Sequence, residues 1–234
     1  MKSLLSAAWY LLACAITCSL NAQTIVETTF RPVRGAAYGN PHNWSPQEVP
    51  DNSAAKSYNV TIPASVIMDI NAKITSLSLS ASLLTDGRSL VVTGTTKNEG
   101  VIRVNAGGFF ATGALANFDA TTRTLTGGEY DVDENGILKF GGADIVHNSA
   151  SITLGGYGAW ITDGNGHNGL RNFTHNQPQG RFAVIGTGFA ARSDFRNEGN
   201  VTVRERDGYG FFRVAEGHRY IQTSGDAARG GIRW

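Results

Sequence analysis

Short apolar–polar–apolar triplets, separated by glycine-containing turns, constrain the fold of this chain most strongly. Examples are Ile102-Arg103-Val104, Leu138-Lys139-Phe140 and Val201-Thr202-Val203. A period of two puts one side of each segment in a core and the other in solvent, as in a β-strand. No stretch after residue 22 keeps a helical apolar stripe, so the chain is predicted to be all-β. The pattern is weakest over residues 111–122, which are predicted to form a loop or one helical turn.

A five-residue unit recurs with its internal phase kept: GVIRV at 100–104, GILKF at 136–140 and GNVTV at 199–203. The spacings of its glycines correspond to two turns of about 18 residues and three turns of about 21 residues. Coils of this length with short strands are typical of a parallel β-solenoid, here of about eight coils. An antiparallel β-sandwich also has strands at short regular spacing and is the alternative.

The chain begins with features of a secretory signal over residues 1–22. Lys2 precedes a mostly apolar stretch that ends at Ala22, and this stretch is shorter than a membrane-spanning helix needs. Both cysteines, Cys14 and Cys18, fall inside it, so the mature chain has none. We therefore expect a secreted, extracellular or cell-surface protein with no membrane span in the mature chain. Residues 23–65 are predicted to form an N-terminal cap with entry strands, and residues 66–234 the coils.

Charge balance argues against a nucleic-acid partner. Lys and Arg total 20 and Asp and Glu total 19, and removal of Lys2 with the signal leaves 19 of each. A basic patch, the usual footprint of nucleic-acid binding, is not expected from such a composition.

The triplets also predict which side chains face the core. The predicted inward positions are Ile74, Leu77, Leu79, Leu90, Val92, Ile102, Val104, Leu138, Phe140, Ile152, Leu154, Phe182, Val184, Val201 and Val203. Four asparagines stand near turns, where they would either stack as a hydrogen-bonded ladder or cap their own turns: Asn98, Asn148, Asn172 and Asn197. Because asparagine side chains commonly bond to their own turn, the local role is favoured.

Together these segments resemble bacterial secreted right-handed β-helix repeat proteins, which include autotransporter-passenger-like and adhesin-like proteins and surface proteins with a PEP-CTERM-type sorting signal. The resemblance is carried by residues 118–154, 169–173 and 195–199, and by an entry segment at 43–62 that contains Asn43-Trp44-Ser45-Pro46. It extends over nearly all of residues 40–225 and is degenerate, so it implies a fold more than an activity. Such proteins usually continue to an anchor or barrel, so this chain is expected to be truncated at its C-terminus.

Several polar and charged segments are candidates for a metal-binding or ligand-binding site. Residues 131–136 have the spacing of the start of a calcium loop, but Gly142 stands where a bidentate Glu is required, so a β-turn is favoured. The polar Gly-rich segment 163–169 is predicted to be a loop rather than a cation or sugar site. The charged segment 204–207 is expected to be a solvated corner. The five histidines show no zinc-ligand spacing.

Three aromatic residues that lie within two positions of a glycine would either stack on sugars or pack between coils: Tyr157, Trp160 and Tyr209. No set of catalytic, cofactor-binding or metal-ligating residues is identified. We therefore expect a non-catalytic, structural or adhesin-like module whose partners are surface glycans or other cell-surface proteins. Two alternatives remain open at this point. One is a polysaccharide lyase or glycoside hydrolase in which Asp131, Asp163 and Arg204 converge, and the other is a carbohydrate-binding module that uses the three aromatic residues.

Overall fold

The structure, a computed structural model, describes residues 23–33, 35–224, 227–228 and 232–233. Across these residues the chain is all-β, with no α-helix and one 3-10 helix at Pro41–Asn43. The all-β prediction is confirmed. Residues 1–22, which carry the predicted signal and both cysteines, lie outside the described residues. The described residues contain no helix with the length and apolar character that crossing a membrane requires.

The strands form three sheets within the described chain. The first sheet has nine strands: Thr24–Phe30, Trp44–Ser45, Lys56–Ile62, Ala72–Ile74, Ser76–Leu79, Ser89–Asn98, Phe109–Leu115, Ile137–Phe140 and Trp160–Thr162. The second has twelve: Val66–Ile67, Ser82–Leu84, Val101–Val104, Phe118–Asp119, Thr124–Asp133, His147–Gly155, His175–Asn176, Arg181–Ile185, Phe195–Asn197, Asn200–Arg204, Tyr220–Gln222 and Ala227–Ala228. The third has three: Gly188–Ala191, Phe211–Val214 and Ile232–Arg233.

Parallel pairing dominates the sheets. In the first sheet Asn59 lies opposite Ser76, and on the next strand Leu77 lies opposite Thr96, so that each partner is 17 or 19 residues further along the chain. Among the described strands, antiparallel pairs are confined to Thr24–Phe30 with Trp44–Ser45 and Phe118–Asp119 with Thr124–Asp133. An antiparallel sandwich does not account for these registers, so that alternative is wrong. Its spacing argument failed because strand spacing alone does not distinguish parallel from antiparallel neighbours.

The core lies between the sheets and is filled by the inward residues of the triplets. All fifteen side chains predicted to face inward are buried. The loop prediction for residues 111–122 is wrong at 111–115, which belong to the strand Phe109–Leu115, and at Phe118–Asp119, which adds a short antiparallel strand. Residues 116–117 and 120–122 form turns. Phe110, Thr112 and Leu115 are buried there. Small residues such as Ala111 and Gly113 hid the alternation that would have indicated a strand.

The N-terminal segment has a compact aromatic cluster of its own. Phe30, Tyr38 and Trp44 are buried, and the Trp44 ring meets the other two edge to face at centroid distances of 5.0 and 4.9 Å. The Trp44 Nε1–H donates to the Tyr38 carbonyl at 2.7 Å, and the Tyr38 hydroxyl donates to the Pro50 carbonyl at 2.8 Å. The indole N–H and the phenol hydroxyl are therefore both hydrogen-bonded inside the core, as buried Trp and Tyr require.

Candidate functional site: an aromatic cleft

A cleft opens where one sheet stops and another begins. The first sheet ends at Trp160–Thr162 and the third begins at Gly188–Ala191, and no strand pairing in the described structure joins them. In the neighbouring second sheet, Ser151 and its partner Arg181 are separated by more residues of the chain than any other pair of positions on parallel strands of that sheet. The additional residues fold back on the exposed edge of Trp160–Thr162, where Gly169 N–H donates to the Ile161 carbonyl at 2.8 Å. The interruption of the ladder leaves an open groove at the surface.

The cleft has a volume of about 660 Å³, which lies in the range of small-ligand sites. Its floor is apolar and buried, and it is made of Leu154, Ile161, Leu170 and Phe189. Tyr157, Trp160 and Tyr209 line its rim, with exposed fractions of 84%, 50% and 52%. Burial of these three side chains between strands is therefore excluded, because each is at least half exposed at one cleft.

Tyr157 is held at the tip of a rigid turn. Gly156 and Gly158 on either side adopt φ of +65° and +74°, which residues with side chains rarely adopt. The Tyr157 carbonyl accepts from the Asn135 N–H at 2.8 Å, and Gly156 N–H donates to the Ile185 carbonyl at 2.8 Å. Backbone bonds to two neighbouring segments thus fix the turn, while its one large side chain stays in solvent.

Tyr209 and Trp160 are positioned by regular backbone pairing. Arg206 and Tyr209 exchange two backbone hydrogen bonds of 3.0 and 3.1 Å across Asp207-Gly208, both at positive φ, in a tight hairpin turn. The Tyr209 ring rests edge to face on Phe211 at 5.6 Å. Trp160 lies opposite Ile137 in parallel register, at an outward position of the sheet. These contacts fix the backbone segments that carry the two aromatic side chains.

A second hollow of about 540 Å³ adjoins the cleft and shares Asn135, Tyr157 and Tyr209 with it. Its polar wall contains Glu134 and Arg206, whose side chains form an ion pair at 2.6 Å. Beside them, burial and the neighbouring Glu134 carboxylate raise the pKa of Asp133 above its usual range. Arg206, predicted to lie at a solvated corner, thus bridges two turns that are distant in the chain.

The calcium-like segment 131–136 is a strand end followed by a tight turn. Glu134 and Asn135 adopt φ of +42° and +62°, and the Asp131 carboxylate accepts from Arg103 Nε at 2.7 Å. The turn interpretation fits this geometry. In the part of the chain that the structure describes, no group of three or more His, Cys, Asp or Glu side chains is arranged to hold a metal ion.

The Gly-rich segment 163–169 is a loop organised around one carboxylate. Asp163 is 7% exposed and accepts from the backbone N–H groups of Asn165 and His167 at 2.8 and 2.9 Å. Although burial opposes it, these bonds and the His167 ring lower the pKa of Asp163. The carboxylate therefore holds the loop together, which agrees with the predicted loop.

Asp131, Asp163 and Arg204, which would converge in the enzyme alternative, do not lie together. Asp131 pairs with Arg103, whereas Asp163 contacts His167 and Arg171 in its own loop. Arg204 ends the strand Asn200–Arg204, and its backbone lies opposite Ile185. None of the three lines the aromatic cleft. These three residues therefore do not form a pair of acid and base groups across the cleft.

Two interactions in the second sheet were not identified from the sequence. His147 and His175 lie opposite each other in register, with their Nδ1 atoms 3.3 Å apart, and His175 Nε2 contacts Glu198 Oε2 at 2.8 Å. The two histidines are 28 positions apart, which exceeds the coil length that the repeat indicated. The number of residues between paired positions varies along the sheet, so the repeat length did not predict that His147 and His175 would be neighbours.

The asparagines were only partly predicted. Asn148, Asn176 and Asn197 are fully buried and linked by side-chain bonds of 2.9 and 2.8 Å, so they form a ladder. The purely local role is wrong for Asn148 and Asn197, although Asn148 also accepts from the Ala150 N–H in its own turn. Asn172 is not a member, since its exposed side chain donates to Asp144.

Asn98 is buried but stands apart from the ladder. Its side chain accepts from Gly100 N–H and donates to the Glu129 carbonyl at 3.1 Å each. The local role therefore holds for Asn98. Its amide satisfies backbone groups on its own and a neighbouring strand.

Neither a protein-family model, nor a curated protein, nor a solved structure matches the chain. The cleft must therefore be interpreted from its own geometry.

Proposed function

We propose that the protein is a secreted, non-catalytic β-helix module that binds polysaccharide through the aromatic cleft. The observation that carries the proposal is the convergence of Tyr157, Trp160 and Tyr209, all at least half exposed, on one apolar groove. A protein surface rarely exposes three large aromatic side chains together unless they meet a partner.

Sugars suit such a groove for a physical reason. A pyranose ring presents C–H groups on one face and hydroxyl groups around its edge. The C–H face packs on an aromatic ring, while the edge stays hydrated or finds polar groups at the rim. Asn135 and Asn168 also line the cleft and carry amide groups able to donate to and accept from hydroxyls. Because the groove is open, it suits a chain rather than an enclosed small molecule.

A right-handed β-helix is the architecture that we propose to link these features. From residue 66 onward the second sheet supplies strands in eight successive rungs, beginning at Val66–Ile67 and ending at Tyr220–Gln222 with Ala227–Ala228. This supports about eight coils. Right-handedness follows from the general rule for crossovers between parallel strands. The resemblance to autotransporter-like and adhesin-like surface proteins belongs to the same proposal.

The N-terminal cap is proposed to comprise residues 23–65. Its first strand, Thr24–Phe30, pairs on one side with Lys56–Ile62 and is partly covered on the other by Trp44–Ser45. Covering an edge strand prevents it from pairing with another molecule. Secretion, directed by a signal over residues 1–22, would place the cleft where extracellular polysaccharides occur.

Affinity electrophoresis tests the proposed function. The purified chain is run through gels that contain xyloglucan, galactomannan, laminarin, polygalacturonate or alginate. We expect retardation by at least one of these polymers and its loss in Trp160→Ala. Removal of one such ring should cost roughly 2 kcal/mol of binding free energy, about thirtyfold in affinity.

Ile25→Ala is the matched control, because Ile25 is 66% exposed on the first strand, away from the cleft residues. It should be retarded like the unaltered chain. Equal retardation of the Trp160 variant and the unaltered chain would overturn the proposal. So would silence of the unaltered chain in the gels and on a broad glycan array.

A further inference from the structure

A hollow rich in arginine adjoins the aromatic cleft. It has a volume of about 350 Å³, and its lining includes Arg123, Arg171 and Arg192 together with the polar Asn172 and Ser193. No carboxylate is among the described residues that line it. Arg171 and Arg192 also line the cleft, so one wall is common to both.

Asp144 fixes two of these guanidinium groups. Arg123 Nη2 forms a close ion pair with Asp144 Oδ2, and Arg171 Nη2 lies 3.5 Å from the same oxygen. The other oxygen of Asp144 accepts from Asn172 Nδ2 at 2.8 Å. A single carboxylate thus orients two cations, which remain 40% and 30% exposed at their side chains.

The hollow keeps an excess of positive charge. Three guanidinium groups face only two carboxylates, Asp144 and Asp163, and Asp163 also contacts His167. Arg192 forms no ion pair with any residue that the structure describes. Phe189 and Ala191 before it are buried, so the alternation of the strand directs position 192 outward. The free cation therefore stands where the hollow meets the cleft.

We propose that this hollow is an anion-binding subsite. It binds the carboxylate or sulfate groups of an acidic polysaccharide that lies in the aromatic cleft. The inference rests on the proposed function. A guanidinium presents paired N–H donors that match the two oxygens of a carboxylate or sulfate, whereas a neutral sugar gives it only hydroxyls. The chain as a whole is balanced in charge, which favours a sugar acid over a nucleic acid as the source of the anion.

Titration calorimetry with the purified chain tests the subsite. The probes are polygalacturonate and alginate as carboxylate polymers, dextran sulfate as a sulfate polymer, and galactomannan and xyloglucan as neutral polymers. We expect an acidic polymer to bind about tenfold more tightly than the neutral ones. Raising the salt concentration should weaken only the acidic binding. The comparison between carboxylate and sulfate polymers identifies the anionic group that the subsite binds.

Arg192→Ala should lose about tenfold in affinity for the preferred acidic polymer and leave neutral binding unchanged. Arg88→Ala is the matched control, since Arg88 is exposed beside a turn and lines neither the cleft nor the hollow. Arg123 and Arg171 are left intact because they hold Asp144. Circular dichroism of Arg192→Ala should match that of the unaltered chain.

Two results would overturn the subsite alone. One is neutral binding that depends on Trp160 without any preference for acidic polymers. The other is displacement of the acidic polymer by a single-stranded oligonucleotide at equal charge concentration. Absence of binding to every polymer would overturn the proposed function and the subsite together, so the two failures are distinguishable.

Discussion

Asn148 donates from its buried side-chain amide to the Oδ1 of Asn176 at a distance of 2.9 Å. Asn176 in turn donates to Oδ1 of Asn197 at 2.8 Å, and Asn197 to Gln222 at 3.0 Å. The ladder crosses successive strands of the second sheet at one position. Its members also bond to backbone groups, as Asn176 does to the Gly180 carbonyl at 3.1 Å. Successive strands are thereby held in one register by polar contacts inside the core.

Replacement of Asn176 by Ala should destabilise the protein strongly. The variant leaves the buried Oδ1 of Asn197 without its donor, which costs about 1–3 kcal/mol. It also removes one hydrogen bond each from Asn148 and Gly180, which keep other partners. We expect a loss of roughly 3 kcal/mol, seen as a lower urea midpoint by both fluorescence and circular dichroism. Asn172→Ala, which removes only an exposed bond to Asp144, should change stability by less than about 0.5 kcal/mol. Equal midpoints for the two variants would refute a structural role for the ladder.

Glycine at position 158 is expected to be necessary for the placement of Tyr157. Its φ is +74°, and an added Cβ would lie 2.3 Å from Asn135 Oδ1 and 3.2 Å from Asn135 Cα. Gly158→Ala should therefore displace the turn and lower affinity for the polysaccharide as well as stability.

Gly166→Ala provides the comparison for Gly158→Ala, because Gly166 has φ of +84° but nothing within 4 Å of an added Cβ. It should cost only the backbone strain, about 1 kcal/mol, and bind normally. The two effects are separated by measuring thermal unfolding and affinity electrophoresis for both variants. Unchanged binding by Gly158→Ala would contradict the rigid placement of Tyr157.

Stability should fall with decreasing pH in the range where histidine titrates. Burial, His175 and Arg123 lower the pKa of His147 below its ordinary value of 6.5. The unfolded chain therefore binds a proton before the folded chain does, and stability declines as pH falls below about 6.5 towards the lower folded pKa. Urea unfolding at about pH 7.5 and about pH 5.5 should show this decline. In His147→Gln the decline should be smaller.

The carboxylates whose pKa values are lowered do not obscure this histidine effect. Asp119, Asp194 and Glu198 have pKa values lowered by hydrogen bonds. Their contribution is present above their unfolded pKa, near about 4, and is lost only as pH falls through the lower folded values. A decline over the same pH interval that His147→Gln leaves intact would assign the effect to other groups.

The local pattern was sufficient for most of the strands but not for the site. Ile102 and Val104 could be assigned to the core because alternation within one segment decides burial. The pairing of His147 with His175 depends on a step of unusual length that no local pattern encodes. The cleft likewise depends on the long step between the paired strands His147–Gly155 and Arg181–Ile185.

The glycines around Tyr157 did give a usable signal. Glycine on both sides of a large aromatic residue favoured exposure, although the sequence left packing between coils open, and Tyr157 is 84% exposed. Their positive φ values explain why glycine is needed there. The sequence did not reveal that Trp160 and Tyr209 lie beside that turn, because strand register determines their positions.

Protection of Trp160 from acrylamide quenching tests the central claim most directly. Trp160 is 50% exposed at the cleft rim, whereas Trp44 is 2% exposed and already shielded. The measurement uses a Trp234→Phe background without the predicted signal, which leaves these two tryptophans. Oligosaccharides of the polymer that retards the chain are added during the titration. We expect the accessible part of the fluorescence to become shielded as the sugar saturates. Quenching of Trp160 that is unaffected by saturating sugar would contradict sugar binding in the cleft.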